Sequence, residues 1–292
     1  MGRIPNPAYL LLVISILLFS PTSNSEEQEG VKKSLIRFVQ KLSGGNKAIS
    51  KRWNMTSDAC EWVGVTCDPE TGLVWTVVLE GLNLSGTLDA ASACKAESLL
   101  VLKLKNNNLT GSIPSGIGNC HSLIMLDLSG NRFTGSVPDT VANMTTLLQL
   151  EISDNRLTGE VPDLSRLMLL RNFLAQENRL HGSVPVMNFD SLQGFNVSDN
   201  RFQGRIPDGA GKFGADSFLG NPELCGAPLR DACSDDAGEP AAAVARPAGP
   251  IDPPTVDVSG GVEVQGNGIL MLLLWCCFFP SCLAGFCFFV GM

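Results

Sequence analysis

A glycine returns at nearly the same interval along the middle of this chain, and that spacing constrains the fold more than any other feature. Gly86, Gly111, Gly135, Gly159, Gly182 and Gly204 lie 25, 24, 24, 23 and 22 residues apart. Around them five segments align on one pattern, Leu-x-Leu-x-x-Asn-x-Leu-x-Gly-x-Ile-Pro: Leu102–Pro114, Leu126–Pro138, Leu150–Pro162, Phe173–Pro185 and Phe195–Pro207. A degenerate first copy starts at Val77 and runs through Leu82, Leu84 and Gly86. Such a period is the mark of a solenoid: no single unit buries its apolar face, and stacked units build one continuous core.

Each position of the repeat has a physical task. The Leu-x-Leu pair is a short strand of period two, sending Leu102 and Leu104, or Leu126 and Leu128, inward. Asn107, Asn131, Asn155, Asn178 and Asn200 fall where the strand turns away from the sheet. There an amide side chain can donate to carbonyls of the neighbouring coil and satisfy buried backbone groups. The glycine permits a sharp bend, and the proline fixes φ while forgoing a donor. The expectation is an α/β solenoid of about six coils over residues 76–207, with a parallel sheet on one face.

Both ends of the solenoid carry caps. Upstream, over residues 26–75, Val31, Leu35, Phe38, Val39 and Leu42 have the spacing of an amphipathic helix. It leads into Trp53 and the run Cys60-Glu-Trp62-Val-Gly64-Val-Thr-Cys67. Downstream, over residues 208–233, lies Phe218-Leu-Gly220-Asn-Pro222-Glu-Leu-Cys225-Gly226-Ala-Pro228-Leu, followed by Cys233. Cys60 with Cys67, and Cys225 with Cys233, are close in sequence and expected to bridge locally, although six cysteines allow fifteen pairings. Cys94 and Cys120 fall near one point of adjacent coils, with registers that differ by a residue or two. A bridge would need Cα atoms about 4.4–6.8 Å apart. A repeat cysteine is more often a small buried hydrophobe, so free thiols are expected.

The Cys-x-Trp-x-Gly-Val-x-Cys cap, the Leu-Thr-Gly-x-Ile/Val-Pro repeats and the Gly-Asn-Pro-x-Leu-Cys-Gly-x-Pro-Leu cap together resemble the ectodomains of plant leucine-rich-repeat receptor-like kinases and receptor-like proteins, over roughly residues 26–233. The resemblance implies a right-handed, twisted horseshoe with a concave parallel sheet and a second short strand at each Thr-Gly-x-Ile/Val-Pro. It also implies display at the cell surface, and recognition of a peptide ligand or of another leucine-rich-repeat receptor kinase ectodomain.

The termini read as targeting segments. Residues 1–25 hold Arg3, an apolar run from Tyr9 to Phe19 and small residues from Ser20 to Ser25, the pattern of a secretory signal cleaved around Ser25–Glu26. Residues 234–268 turn to Ala, Pro, Gly and Asp, a composition that buries too little surface to order itself and reads as a stalk. Residues 269–290 are uncharged and long enough to cross a bilayer. Only Gly291 and Met292 follow, without the Lys or Arg of a usual stop-transfer anchor. Ser259, Gly260 and Gly261 ahead of this run fit a lipid-anchor signal, although the tail is long and rich in cysteine for one. A membrane-tethered ectodomain follows from either anchor.

The net charge of −8 argues against nucleic-acid binding, which needs a basic stripe. The chain has no phosphate-cradling Gly-rich loop, no His-Arg-Asp loop and no Asp-Phe-Gly. Its two histidines, His121 and His181, lack the neighbours of a zinc site. No enzyme activity, cofactor or metal is expected.

Recognition is expected on the residues that point out of the concave strands, with Glu80, Lys103, Lys105, Asp127, Gln149, Glu151, Asn172 and Gln176 as the candidate face. Six strands at about 4.8 Å span only ~25 Å, enough for a short extended peptide or one flank of another ectodomain. Some receptors of the resembled family read a ligand carboxylate through an inner-face Arg-x-Arg pair, which these strands lack. Arg132, Arg156, Arg179 and Arg201 recur just after the ladder asparagines, and Asp154, Glu177 and Asp199 are expected to pair with them locally. Five sequons, at Asn54, Asn83, Asn108, Asn143 and Asn196, mark N-glycosylation sites. A glycan on Asn196, in the last concave strand, would confine binding to the earlier coils. The reading is a non-catalytic recognition ectodomain of receptor or co-receptor type. The alternatives are a truncated product of a transmembrane receptor kinase, and a secreted inhibitor of a microbial wall-degrading enzyme.

Overall fold

A computed structural model describes residues 22–45 and 47–233. The expected stalk and hydrophobic tail, and the expected signal segment up to residue 21, lie outside the described residues. Among the described residues no helix is long and apolar enough to cross a membrane.

Helix α1 (Thr22–Ser43) starts nine residues ahead of Val31 and buries the stripe that the periodicity marks: Leu35, Phe38, Val39 and Leu42 are fully buried. Its C-terminus seals the first coil, with Lys41 and Leu42 carbonyls accepting from Thr87 and Gly86 N–H at 3.1 and 3.0 Å. The approach is so close that a Cβ at Gly86 would lie 1.7 Å from the Lys41 oxygen, so only glycine fits there. After α2 (Lys47–Ser50), Trp53 stacks on Trp62 at 4.8 Å between ring centroids, and both indoles are buried. Each indole N–H finds an acceptor, Val63 O for Trp53 and Ser57 Oγ for Trp62, as burial of that group demands. The Cys60–Cys67 bridge closes this cap.

From here the chain winds as a leucine-rich-repeat solenoid. One sheet contains β1 (Val65–Cys67), β2 (Val74–Val78), β3 (Val101–Lys103), β4 (Met125–Asp127), β6 (Gln149–Glu151), β8 (Asn172–Leu174) and β10 (Gly194–Asn196) in that order. All pairs are parallel except β1 with β2. The sheet is therefore one strand wider than the six expected, because the cap lends β1 antiparallel to its open edge. A second, five-stranded parallel sheet contains β5 (Thr134–Gly135), β7 (Arg156–Gly159), β9 (Arg179–Gly182), β11 (Arg201–Arg205) and β12 (Glu223–Cys225). It forms where the resemblance implied a second strand from Thr134 onward, extends into the cap as β12, and gives way to isolated bridges at Thr87–Thr110 and Ser112–Thr134 in the earlier coils. A short α3 (Ala90–Ala93) and several 3₁₀ turns cross the far side of the coils.

The asparagine ladder is built as the sequence predicts. In Asn131, Nδ2 donates back to Leu104 O at 3.0 Å and within its own coil to Leu128 O at 3.0 Å, while Oδ1 accepts from Leu109 N–H at 3.1 Å. Asn107, Asn155, Asn178 and Asn200 repeat the arrangement. Asn221 adds a further rung, donating to Val197 O at 3.0 Å and accepting from Phe202 N–H at 2.9 Å. The Gly-Asn-Pro of the cap is thus the last turn of the ladder. The residue before each rung is left-handed, including Asp154, Glu177 and Asp199 at φ 51°, 57° and 54°.

At the C-terminal end the core turns aromatic. Phe195 meets Phe173, Phe189, Phe213 and Phe218 with ring centroids 5.4–5.9 Å apart. Cys225–Cys233 closes that cap. Cys94 and Cys120 are not free thiols: they form a third bridge, with Cα atoms 4.6 Å apart. Each cysteine ends the helical turn of its coil, Cys94 after four α residues and Cys120 after five 3₁₀ residues. This difference in winding brings into line two positions whose sequence registers differ.

Candidate functional site

The strands of the concave sheet are in exact phase, so equivalent residues form columns across the coils. The column Val78, Lys103, Asp127, Glu151, Leu174 and Asn196 runs through the middle of the face. Glu80, Lys105, Ser129 and Gln176 stand two residues further along their strands.

The candidate residues divide into three groups. Glu80, Lys103, Lys105 and Asn172 make no side-chain hydrogen bond or ion pair among the described residues, so they remain available to a partner. Gln149 and Glu151 engage each other, Nε2 donating to Oε1. Asp127 is withdrawn: it is 4% exposed, and its Oδ1 accepts from the backbone N–H and the hydroxyl of Ser129 at 3.0 and 2.5 Å. Its carboxylate holds the turn out of β4 and does not face a ligand, which corrects the sequence reading. Asn196 uses its Oδ1 likewise, accepting from Ser198 N–H at 2.9 Å. Gln176 carries a buried Oε1 without any hydrogen-bond partner.

A row of apolar residues was missed from sequence. Trp75, Leu100, Ile124 and Leu148 follow one another along the leading edge of the sheet, each linked to the next by an N–H···O bond of 2.8 Å. Arg171 and Gln193 continue the row in the later coils. Trp75, Val78 and Leu148 are 37–38% exposed, and Met168 and Leu169 in the adjoining turn are 60% and 48% exposed. Strand alternation counted from the buried leucines stops one residue short of this edge. The signal available was an apolar residue at one repeat position in four successive coils.

The sequons differ in their surroundings. In Asn54-Met-Thr56 the threonine hydroxyl donates to Asn54 Oδ1 at 2.7 Å. Asn143 Oδ1 accepts from Arg166 Nη1 at 3.2 Å. Asn108 Nδ2 donates to Asn83 Oδ1 at 2.5 Å, so these two lie side by side on adjacent coils. Two carboxyls are held below the usual carboxylate range in exposed turns: Asp68 by the Glu70 N–H and the Thr71 hydroxyl, and Asp163 by the hydroxyl and N–H of Ser165.

Two depressions in the described surface measure about 190 Å³ beside Cys94–Cys120 and about 220 Å³ between Glu160 and Gln203. Both fall below the ~300 Å³ at which small-molecule sites begin.

Residues 32–68 match the leucine-rich-repeat N-terminal domain family, and residues 98–120 and 122–144 match the leucine-rich-repeat family. Among curated relatives, Receptor-like protein 47 of Arabidopsis thaliana is 38% identical over 73 residues, which are 25% of this chain and 9% of that protein. Pollen receptor-like kinase 1 of the same plant is 34% identical over 104 residues, 35% of this chain and 15% of that protein. The chain thus spans only about a tenth to a seventh of these relatives. Solved Arabidopsis thaliana ectodomains match more fully. A chain of the BIR3–SERK2 complex is 31% identical, with a TM-score of 0.52, and the match covers 69% of this chain and 97% of that one. The BIR2 ectodomain is 30% identical, with a TM-score of 0.53 and coverage of 70% and 98%. The HAESA ectodomain in complex with an IDA peptide hormone is 29% identical, with a TM-score of 0.55 and coverage of 67% and 33%.

Proposed function

Since this chain belongs to the leucine-rich-repeat receptor ectodomains of plants, we propose that it acts at the cell surface as a non-catalytic recognition module, docking its concave sheet on the ectodomain of a partner receptor. The observation that carries this reading is the apolar row Trp75, Leu100, Ile124 and Leu148, exposed at Trp75 and Leu148 and half-buried between them, beside the unpaired Lys103 and Lys105. Protein interfaces concentrate their energy in such apolar and aromatic anchors ringed by polar groups. Size supports it too. The match takes in nearly all of the BIR2 chain and of the chain in the BIR3–SERK2 complex, but only a third of the peptide-bound HAESA ectodomain.

An extended peptide is the second reading. Seven strands give a face of about 29 Å, long enough for a short extended peptide. Asn196 carries a glycan in this proposal and limits contact to the coils before it. Residues 269–290 tether the module to the membrane, as a spanning helix or as a lipid-anchor signal. Release from membranes by phosphatidylinositol-specific phospholipase C identifies the lipid form, and retention in the pellet rejects it. A truncated kinase receptor would use the same face, whereas a secreted inhibitor of a wall-degrading enzyme would have no need of the tail.

The test is binding of the secreted protein to a panel of leucine-rich-repeat receptor kinase ectodomains, before and after Trp75→Ala and Leu148→Asp. The double variant should weaken the best pair by more than about tenfold, as loss of a hot spot does. Unchanged affinity would reject the leading edge as the contact.

A further inference from the structure

The five-stranded sheet carries a second candidate surface, independent of the concave face. Arg132, Arg156, Arg179 and Arg201 take one position in four successive coils, and all four are exposed. In β7, β9 and β11 the residue after the arginine is buried (Leu157, Leu180, Phe202), and the next one is exposed (Thr158, His181, Gln203). Arginine and polar neighbour therefore share the outer face of each strand, at a spacing of about 4.8 Å from coil to coil. Local pairing with Asp154, Glu177 and Asp199 does not occur. None of the four guanidiniums makes an ion pair within 4 Å among the described residues. The three acids instead hold left-handed turns, and Asp199 Oδ1 points along the solenoid toward Gly220 of the next turn.

Four like charges in a column roughly 14 Å long, none of them in an ion pair among the described residues, match a ligand with a repeating negative charge. The face beside them carries the polar row Thr134, Thr158, His181 and Gln203, and the exposed Val186 borders it only at the shallow depression next to Gln203. Asn83 and Asn108 occupy the same column in the first two coils, so sequon asparagines end the strip on that side. We propose that this column binds a linear acidic polysaccharide, a polyuronate whose successive carboxylates are held by the guanidiniums and whose hydroxyls meet the flanking polar row.

The test uses the full glycosylated chain and de-esterified polygalacturonate fragments, with the methyl-esterified polymer and poly-glutamate as comparison probes, titrated over a range of salt. The wild type should bind the de-esterified fragments in preference to both comparison probes. Arg156→Gln with Arg179→Gln should weaken that binding by at least about tenfold and flatten its salt dependence, since each lost guanidinium–carboxylate contact removes counter-ion release, as at any polyanion. Lys103→Gln with Lys105→Gln makes the same charge change on the concave face and should leave binding intact. The proposal is overturned by absence of binding at low salt, by poly-glutamate binding as tightly as the polyuronate, by an unaffected arginine variant, or by an equal loss in the lysine variant. Thermal midpoints that match the wild type keep a folding defect from imitating the result.

Discussion

The two sheets are wound by the same coils, yet their surfaces follow opposite rules. Across the concave sheet the central column reads Val78, Lys103, Asp127, Glu151, Leu174 and Asn196, different at every step. Across the lateral sheet the corresponding position reads arginine in four coils running. The interior ladder is uniform as well, but there uniformity has a structural reason: each asparagine satisfies the same backbone groups of its neighbour. The arginine column has no such internal partners. Variation on one face and unexplained uniformity on the other point to two kinds of recognition, one shaped to an irregular protein surface and one to a repeating polymer.

Substitutions sharpen this contrast between what the fold requires and what it leaves free. The largest effect is expected from Phe195→Ala, which empties the centre of the aromatic cluster and should cost about 4 kcal/mol in urea unfolding followed by tryptophan fluorescence. Cys94→Ser with Cys120→Ser removes a cross-link spanning 26 residues between adjacent coils and should cost about 3 kcal/mol in the same measurement. Asn131→Ala leaves the buried Leu109 N–H without its acceptor, while Leu104 O and Leu128 O keep the amides of Asn107 and Asn155, and should cost about 2 kcal/mol. Lys103→Ala with Lys105→Ala should change stability by less than about 0.5 kcal/mol, because neither side chain has a partner to lose. Should the lysine pair destabilise as much as Asn131→Ala, the division into structural and free positions would fail.

How much was legible depended on whether a feature repeats. The coils, the inward leucines and the rungs Asn107 to Asn200 could be read because identical chemistry recurs at a fixed interval. Asn221 repeats it too, but its coil is cut short, and the rung is hidden in a Gly-Asn-Pro that reads as a cap. The seventh strand, β1, was invisible because it belongs to the cap and pairs antiparallel, outside the period. The Cys94–Cys120 bridge depends on how an α turn and a 3₁₀ turn differ in winding, which residue counting misses. On the concave face, alternation placed Asp127 outward, but a serine two residues on draws its carboxylate into a local turn. Trp75, Leu100, Ile124 and Leu148 escaped because they precede the strands and were not counted as part of the face.

The most direct test of the account places a glycan on each sheet in turn. Gln149→Asn with Glu151→Thr writes a sequon into β6 at the centre of the concave sheet, and Thr134→Asn writes one into β5 ahead of Ser136 on the lateral sheet. With occupancy verified on the intact secreted protein by mass spectrometry, binding to the partner receptor ectodomain is measured for both. The account predicts that the concave glycan abolishes partner binding while the lateral glycan leaves it within about twofold of wild type. Partner binding that survives the concave glycan, or that is lost with the lateral one, would contradict the assignment of receptor recognition to the concave face.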